Sequence, residues 1–300
     1  MSPRADTSQQ APALGAAGLV VLGLICQEAG AGIAVTLFPQ TGAVGMVALR
    51  LGFSAAILLL VFRPSLRGRS AADWRTVLGF GLVLAVMNVL FYLSLTRLPL
   101  GAAVTIEYLG PLVLSVVVSR RASAWLWAVL ALAGVALLGR GGFDHLDPIG
   151  VLFALGAGTM WVGYILLSAR TGSRFDRLDG LAIAMTVGAI LTIPFGVASA
   201  GPGLFHPIVL LLGLAVAILS SAVPYGLELL ALRRLPAATF SILLSIAPAL
   251  AAVAGLLILQ QPLTILDAAA ILLVVVASIG AVRAADRSRR LRGSDVEPAP

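Results

Sequence analysis

Apolar residues run along this chain in long unbroken stretches, separated by short segments rich in arginine. A bilayer core about 30 Å thick is crossed by about 20 apolar residues in helix. Ten stretches approach or exceed that length, at roughly 14–37, 44–62, 75–95, 101–119, 122–139, 149–167, 179–198, 207–232, 237–258 and 264–282. Runs such as the one ending at Val276 are apolar on every face, which does not fit the alternating ten-residue strands of a barrel. The first run is longer than the apolar core of a signal peptide and leads directly into another span, so it reads as a retained helix.

Composition agrees with the pattern. Apolar residues make up 60% of the 300, charged residues 11%, and mean hydropathy is +1.05. A soluble domain carries about 25% charged residues, so both a water-soluble globule and a disordered chain are excluded. The net charge of +7 comes entirely from arginine, dispersed between apolar stretches, and makes no nucleic-acid patch. A single cysteine, Cys26, excludes an intramolecular disulfide framework. With the N-terminus placed in the cytoplasm, 17 of the 20 arginines fall in cytoplasmic segments; only Arg97 and Arg140 fall outside, and Arg50 lies within a span. Such a bias predicts that both termini are cytoplasmic. The expected organisation is a cytoplasmic segment 1–13, a five-helix repeat 14–142, a second five-helix repeat 143–282, and a basic, polar tail 283–300.

The two halves resemble each other at an offset of 137 residues. Leu95-Thr96-Arg97-Leu98-Pro99 aligns with Leu232-Arg233-Arg234-Leu235-Pro236, and Pro111 aligns with Pro248 inside the fourth and ninth spans. Five helices per half is an odd number, so the second half enters the membrane inverted. The predicted fold is therefore an all-α polytopic membrane protein of ten transmembrane helices in two inverted repeats. Inverted repeats mark secondary transporters, whose substrate site lies near the midplane between the halves.

Interior prolines deprive the carbonyl four residues earlier of its helical donor. Pro111 frees that of Glu107, Pro248 that of Leu244, and Pro224 that of Ser220. Such acceptors are tolerated in a membrane only where protein, water or ligand satisfies them. They could accept from a substrate ammonium or hydroxyl, or simply mark kinks for packing.

A charge at membrane depth costs at least about 2.5–3.5 kcal/mol, so each one needs a reason. Glu28, Arg50, Glu107 and Glu228 stand out. Arg50 and Glu107 lie at equal depth with opposite sign, which pairs them either as a structural ion pair or as a ligand and proton site. Glu107, Tyr108 and Pro111 share one arc of the fourth span; Pro224, Tyr225 and Glu228 share one arc of the eighth. Trp161 and Tyr164 share a face of the sixth, as cavity walls, packing aromatics or interfacial anchors. Asn88 sits mid-span one turn before Tyr92. Glu228 is close enough to the cytoplasmic end to pair instead with Arg233 or Arg234.

The two histidines, His145 and His206, have no partners at metal-ligand spacing, and no Walker A loop, G-x-S-x-G elbow or H-E-x-x-H pair occurs. Neither an enzyme nor a cofactor is expected.

At this point the motifs resemble a known family. Leu37-Phe38-Pro39, Ala48-Leu49-Arg50-Leu51, Asn88 with Leu90-Phe91-Tyr92-Leu93-Ser94, Pro99-Leu100-Gly101, Glu107, and Gly110-Pro111-Leu112 are similar to the EamA-type exporters of the drug/metabolite transporter superfamily. So are Ala154-Leu155-Gly156-Ala157-Gly158, the stretch from Gly213 to Ser220, Pro224-Tyr225, Glu228 and Leu235-Pro236. The likeness covers nearly the whole chain, and its finer pattern is that of bacterial inner-membrane amino-acid exporters. Glu28 and the arginine-rich tail depart from it. The resemblance implies proton-coupled export of small neutral amino acids, chiefly threonine and homoserine. Arg50, Asn88, Tyr92, Glu107, Tyr108, Trp161, Tyr164, Tyr225 and Glu228 would line the substrate site, and Glu107, Glu228 and Glu28 would handle protons. The partners are then an amino acid, protons and lipid. The alternatives are a different solute, such as a cationic drug, nucleobase or sugar, and a non-transporting membrane scaffold.

Overall fold

A computed structural model describes residues 7–119, 122–138, 146–176, 178–232 and 234–294; His145 and Arg233 fall outside them. Nine apolar helical spans among the described residues are long enough to cross a membrane, and a shorter apolar helix covers Trp125–Leu138. The first two are α1 (Thr7–Thr36) and α2 (Phe38–Phe62). Helix α2 starts six residues earlier than the apolar pattern indicates, because Pro39 suits a first turn and Gly42 takes φ 62° to let the chain bend there. Helix α3 (Ala71–Leu95) is capped by Ser70 and Asp73, whose side chains and backbone amides bond reciprocally.

The fourth predicted span is two helices, α4 (Leu100–Glu107) and α5 (Leu109–Ser119). Then come α6 (Ala122–Leu138), α7 (Pro148–Gly172) and α8 (Asp179–Ala200). The eighth span is α9 (Pro207–Ala217) and α10 (Val223–Leu232), joined by a π-helical segment Ile218–Ala222 that ends just before Pro224. The ninth is again two helices, α11 (Ala237–Leu244) and α12 (Ala247–Leu259), followed by α13 (Ile265–Ser294).

Both broken spans stop three or four residues before an interior proline, as the lost N–H requires. The breaks match closely. Tyr108 ends α4 at φ −63°, ψ −14°, and Ser245 ends α11 at φ −63°, ψ −12°. These positions are 137 residues apart.

Helix pairs α2–α8, α3–α7, α6–α13 and α4–α12 pack closely. Glycine makes two approaches possible that any side chain would block. A Cβ at Gly158 would lie 2.5 Å from the Glu107 carbonyl oxygen, and one at Gly110 would overlap the Gly158 carbonyl. The carbonyl freed by Pro111 is thus covered by the Gly158 backbone. Large apolar side chains such as Trp125, Leu126, Val129, Phe195 and Leu257 point outward, as a lipid-facing surface requires. The chain is a multi-pass membrane protein.

Two ion pairs mark opposite ends of the bundle. Arg97 Nη1 meets Asp147 Oδ2 at 2.7 Å where α3 ends and α7 begins. Arg174 Nη1 meets Asp73 Oδ1 at 2.9 Å where α7 ends and α3 begins. Asp147 also caps α7 by accepting from the Ile149 and Gly150 amides, and Arg97 together with these amides holds its carboxyl below the usual carboxylate range.

Candidate functional site: a cavity with buried charges, open at one end

A cavity of about 780 Å³ runs from the middle of the bundle to the end where Val118, Ala169, Pro236 and Asp286 lie. Its floor holds Glu28 from α1, Arg50 from α2, Asn88 from α3 and Glu107 from the end of α4. Trp161 and Tyr164 of α7, Tyr108 and Pro111 at the first break, and Tyr225 and Glu228 of α10 form its walls. Most of the site residues expected from sequence therefore meet in one place, although they come from seven helices.

Arg50 differs from expectation. Arg50 and Glu107 share the cavity but do not form an ion pair, and Arg50 has no ion-pair partner among the described residues. Its guanidinium is held by neutral groups instead. Nη1 donates to the Tyr92 hydroxyl at 3.3 Å, and Nη2 donates to the Ser220 carbonyl at 3.2 Å. That carbonyl is the one Pro224 leaves without a helical donor, so a backbone acceptor of the second half orients a cation of the first. Nε is buried and has no partner. The guanidinium is thus fixed in place by neutral groups, with no ion pair among the described residues.

Tyr92 is correspondingly not a wall of the cavity. It is fully buried, its ring lies 5.6 Å from the Arg50 guanidinium carbon, and Phe38 and Phe91 pack against it at 5.7 and 5.9 Å. It positions Arg50 from behind. Pro224 and Pro248 also lie outside the cavity lining; they shape the backbone around it.

The carboxylates show the opposite pattern. Glu28 is 3% exposed and Glu107 9%, and neither has a hydrogen-bond or ion-pair partner among the described residues. Both face the cavity. Glu228 faces it too, and does not pair with Arg234 among the described residues. Asn88 donates from Nδ2 to the Leu84 carbonyl at 2.8 Å, which leaves its carbonyl oxygen free to accept. Trp161 packs edge-on against Tyr108 at 4.6 Å, and Tyr164 meets Phe80 with tilted rings at 5.2 Å, so these aromatics stiffen the wall they form.

A second cavity of about 320 Å³ lies between α3, α7, α8 and α10, and shares Tyr164, Tyr225 and Glu228 with the first. Several lining residues carry no signal of their own that singles them out in the sequence: Gln27, Phe240, Ser241, Ser245 and Ser278. The 137-residue offset could have flagged Ser245, which stands where Tyr108 stands in the first half. Ser278 carries no such signal.

The comparisons with known proteins agree with this geometry. Residues 148–283 match the EamA-like transporter family. The threonine/homoserine exporter RhtA of Salmonella typhimurium is 42% identical over 273 residues, covering 90% of this chain and 92% of that protein. The protein of the same name from Escherichia coli K12 is 40% identical over 281 residues, covering 93% and 95%. A solved crystal structure, 18% identical, superposes with a TM-score of 0.64 over 92% of this chain and 99% of its own, which shows a shared fold. With helices, cavity and kinship all in agreement, the chain belongs to the EamA-like transporter family, and it is a membrane transporter rather than an enzyme.

Proposed function

We propose that this protein exports small neutral amino acids, threonine and homoserine among them, from the cytoplasm across the inner membrane in exchange for protons. The observation that carries the reading is a guanidinium and two carboxylates in one cavity, none of them in an ion pair among the described residues. A zwitterion supplies the missing partners. Arg50 takes the substrate carboxylate through its planar fork, and Glu107, with Glu28 beside it in the floor, takes the ammonium. A buried carboxylate without a cation must otherwise hold a proton. Substrate and proton therefore compete for Glu107, and this competition couples the two fluxes. Glu228, at the junction of the two cavities, serves as a second proton acceptor. The two relatives named as threonine/homoserine exporters support the substrate class.

The arginine distribution supports cytoplasmic termini and puts the open end of the cavity in the cytoplasm, so the structure is read as the inward-facing state. The repeated break at Glu107–Tyr108 and Leu244–Ser245 supports two inverted five-helix halves, 14–142 and 143–282, with the short helix α6 as the tenth span. Alternating access then proceeds by rocking the halves about the central site.

Cells preloaded with labelled threonine or homoserine test the reading. Efflux faster than in cells lacking the protein, and abolished by an uncoupler, is the expected result; equal efflux of both solutes with and without the protein refutes the substrate assignment. A second reading, export of an organic cation, has one observation in its favour: four carboxylates, Glu28, Glu107, Glu228 and Asp286, line the cavity against one guanidinium among the described residues. Replacing Arg50 with Ala separates the two readings, because it removes the carboxylate anchor and should depress amino-acid export far more than cation export.

A further inference from the structure

Resting on the amino-acid reading, the second helix break carries a role that no charged or aromatic residue announces. The two breaks have the same backbone geometry but different chemistry. At the first, the cavity meets Glu107 and Tyr108; at the equivalent positions of the second it meets Leu244 and Ser245. One turn before Ser245 lies Ser241, also on the cavity, where the first half has Val104. Helix α13, which packs against α11, adds Ser278 to the same lining. Ser278 is 6% exposed, and its Oγ has no hydrogen-bond partner among the described residues. Ser245 is 3% exposed and donates its hydroxyl to the Ser241 carbonyl at 3.1 Å, leaving its lone pairs available to accept.

Buried hydroxyls are almost always satisfied, so an unpartnered one on a cavity wall implies a ligand or water that completes it. Pro248 adds another open valence nearby, since the Leu244 carbonyl loses its helical donor. The lobe thus offers a free hydroxyl donor, hydroxyl acceptors and a backbone acceptor, with no charge on α11 or at the break. That set complements a neutral hydroxyl and is a poor match for a charged or purely aliphatic group.

We propose that Ser241, Ser245 and Ser278 form the pocket for the substrate's side-chain hydroxyl, and that this pocket sets the preference for hydroxy amino acids over aliphatic ones of the same shape. Arg50 and the carboxylates hold the zwitterionic head common to all amino acids. The side chain then extends toward the second break, where discrimination occurs. L-Valine is the decisive comparison, because it replaces the threonine hydroxyl with a methyl group and leaves the pocket's polar groups unpaired. Sites built to bond a hydroxyl reject such analogues strongly, whereas apolar pockets hardly distinguish them.

Inside-out membrane vesicles expose the open end of the cavity and allow competition to be measured. Uptake of labelled threonine, driven by an imposed proton gradient, is inhibited with unlabelled threonine or valine, and the ratio of half-inhibitory concentrations is recorded. In the parent, valine should be weaker by at least about tenfold. In Ser245→Ala combined with Ser278→Ala, the ratio should fall by about tenfold, through weaker threonine rather than stronger head-group binding. Because the ratio is taken within each variant, lower protein level cancels. The single variants Ser278→Ala and Ser241→Ala give the same reading if the double variant fails to assemble. An unchanged ratio in active variants overturns the pocket while leaving the exporter reading intact. Absence of threonine uptake in the parent overturns the exporter reading, and the pocket with it.

Discussion

The two broken spans of this transporter are built alike and packed differently. One half of each, α4 from span four and α12 from span nine, closes on the other at the end marked by the Arg97–Asp147 ion pair. A Cβ at Gly101 would sit 2.8 Å from Ala252, and the Gln261 side chain accepts from the Leu100 amide at 3.0 Å. The other halves, α5 and α11, stand apart and present Ser115 and Ser241 to the cavity between them. A continuous helix would tie the two ends together. A helix broken at Glu107–Tyr108 or Leu244–Ser245 lets one half pack while the other lines an opening, and this is the mechanical use of the freed backbone.

The largest effect is expected at the charged break. Glu107→Gln keeps the shape of the first break but removes the competition between proton and ammonium, so uncoupler-sensitive threonine efflux should fall to that of cells lacking the protein. Membrane levels should stay unchanged, as shown by immunoblot. Normal efflux by that variant would make Glu107 a structural residue and erase the functional difference between the two breaks.

Next comes the closed seam itself. Gly101→Leu forces a side chain into a contact that has no room for a Cβ, at a cost of about 1–3 kcal/mol to the packed arrangement. The cavity should then open at the α4–α12 end. In a Cys26→Ser background, Ser245→Cys should react with a membrane-impermeant maleimide in right-side-out vesicles markedly faster when Gly101→Leu is also present. Equal labelling with and without that change would mean that this seam does not close the outer end.

Smaller effects sharpen the picture. Tyr92→Phe removes the hydroxyl that receives Arg50 Nη1 and should raise the apparent KM for threonine by about three- to tenfold, with little change in maximal rate. The Arg97–Asp147 pair, on the surface, should matter least. Asp147 is held below its ordinary range in the folded protein, so its contribution is present above the unfolded value of about 3.9 and is lost as pH falls through the lowered folded value. Asp147→Asn should therefore lower Tm by about a degree near neutrality, and the difference from the parent should shrink as pH falls below the ordinary aspartate range.

Much of the fold was legible because apolar length is a direct physical requirement of a membrane span. The boundaries were less so: Pro39 and Gly42 extend α2 beyond its apolar run, and the π-helical segment before Pro224 has no marker other than the proline. In the site, Glu28, Arg50, Glu107 and Glu228 announced themselves by their cost at membrane depth, and the structure brings all four to one cavity. Their pairing was not legible. Opposite charge and equal depth favoured Arg50 with Glu107, but depth does not specify azimuth, and Arg50 turns to Tyr92 and to a carbonyl 170 residues away. The serines were invisible for the converse reason. A hydroxyl in an apolar helix is cheap, commonly bonding its own backbone, so its presence signals nothing until a cavity is seen beside it.

The sequence by itself determined that this chain crosses the membrane repeatedly, where its expensive residues lie, and which carbonyls its prolines would release. Those properties depend on local composition and on bonds within one helix. Only the tertiary structure decided that a carbonyl released in α10's approach would orient Arg50, that Tyr92 would stand behind that arginine rather than in the cavity, and that one end of the bundle would be sealed by Gly101 against Ala252 while the other stayed open. Each of these is a relation between distant helices, set by how their surfaces fit, and side-chain fit in three dimensions leaves no periodicity in one.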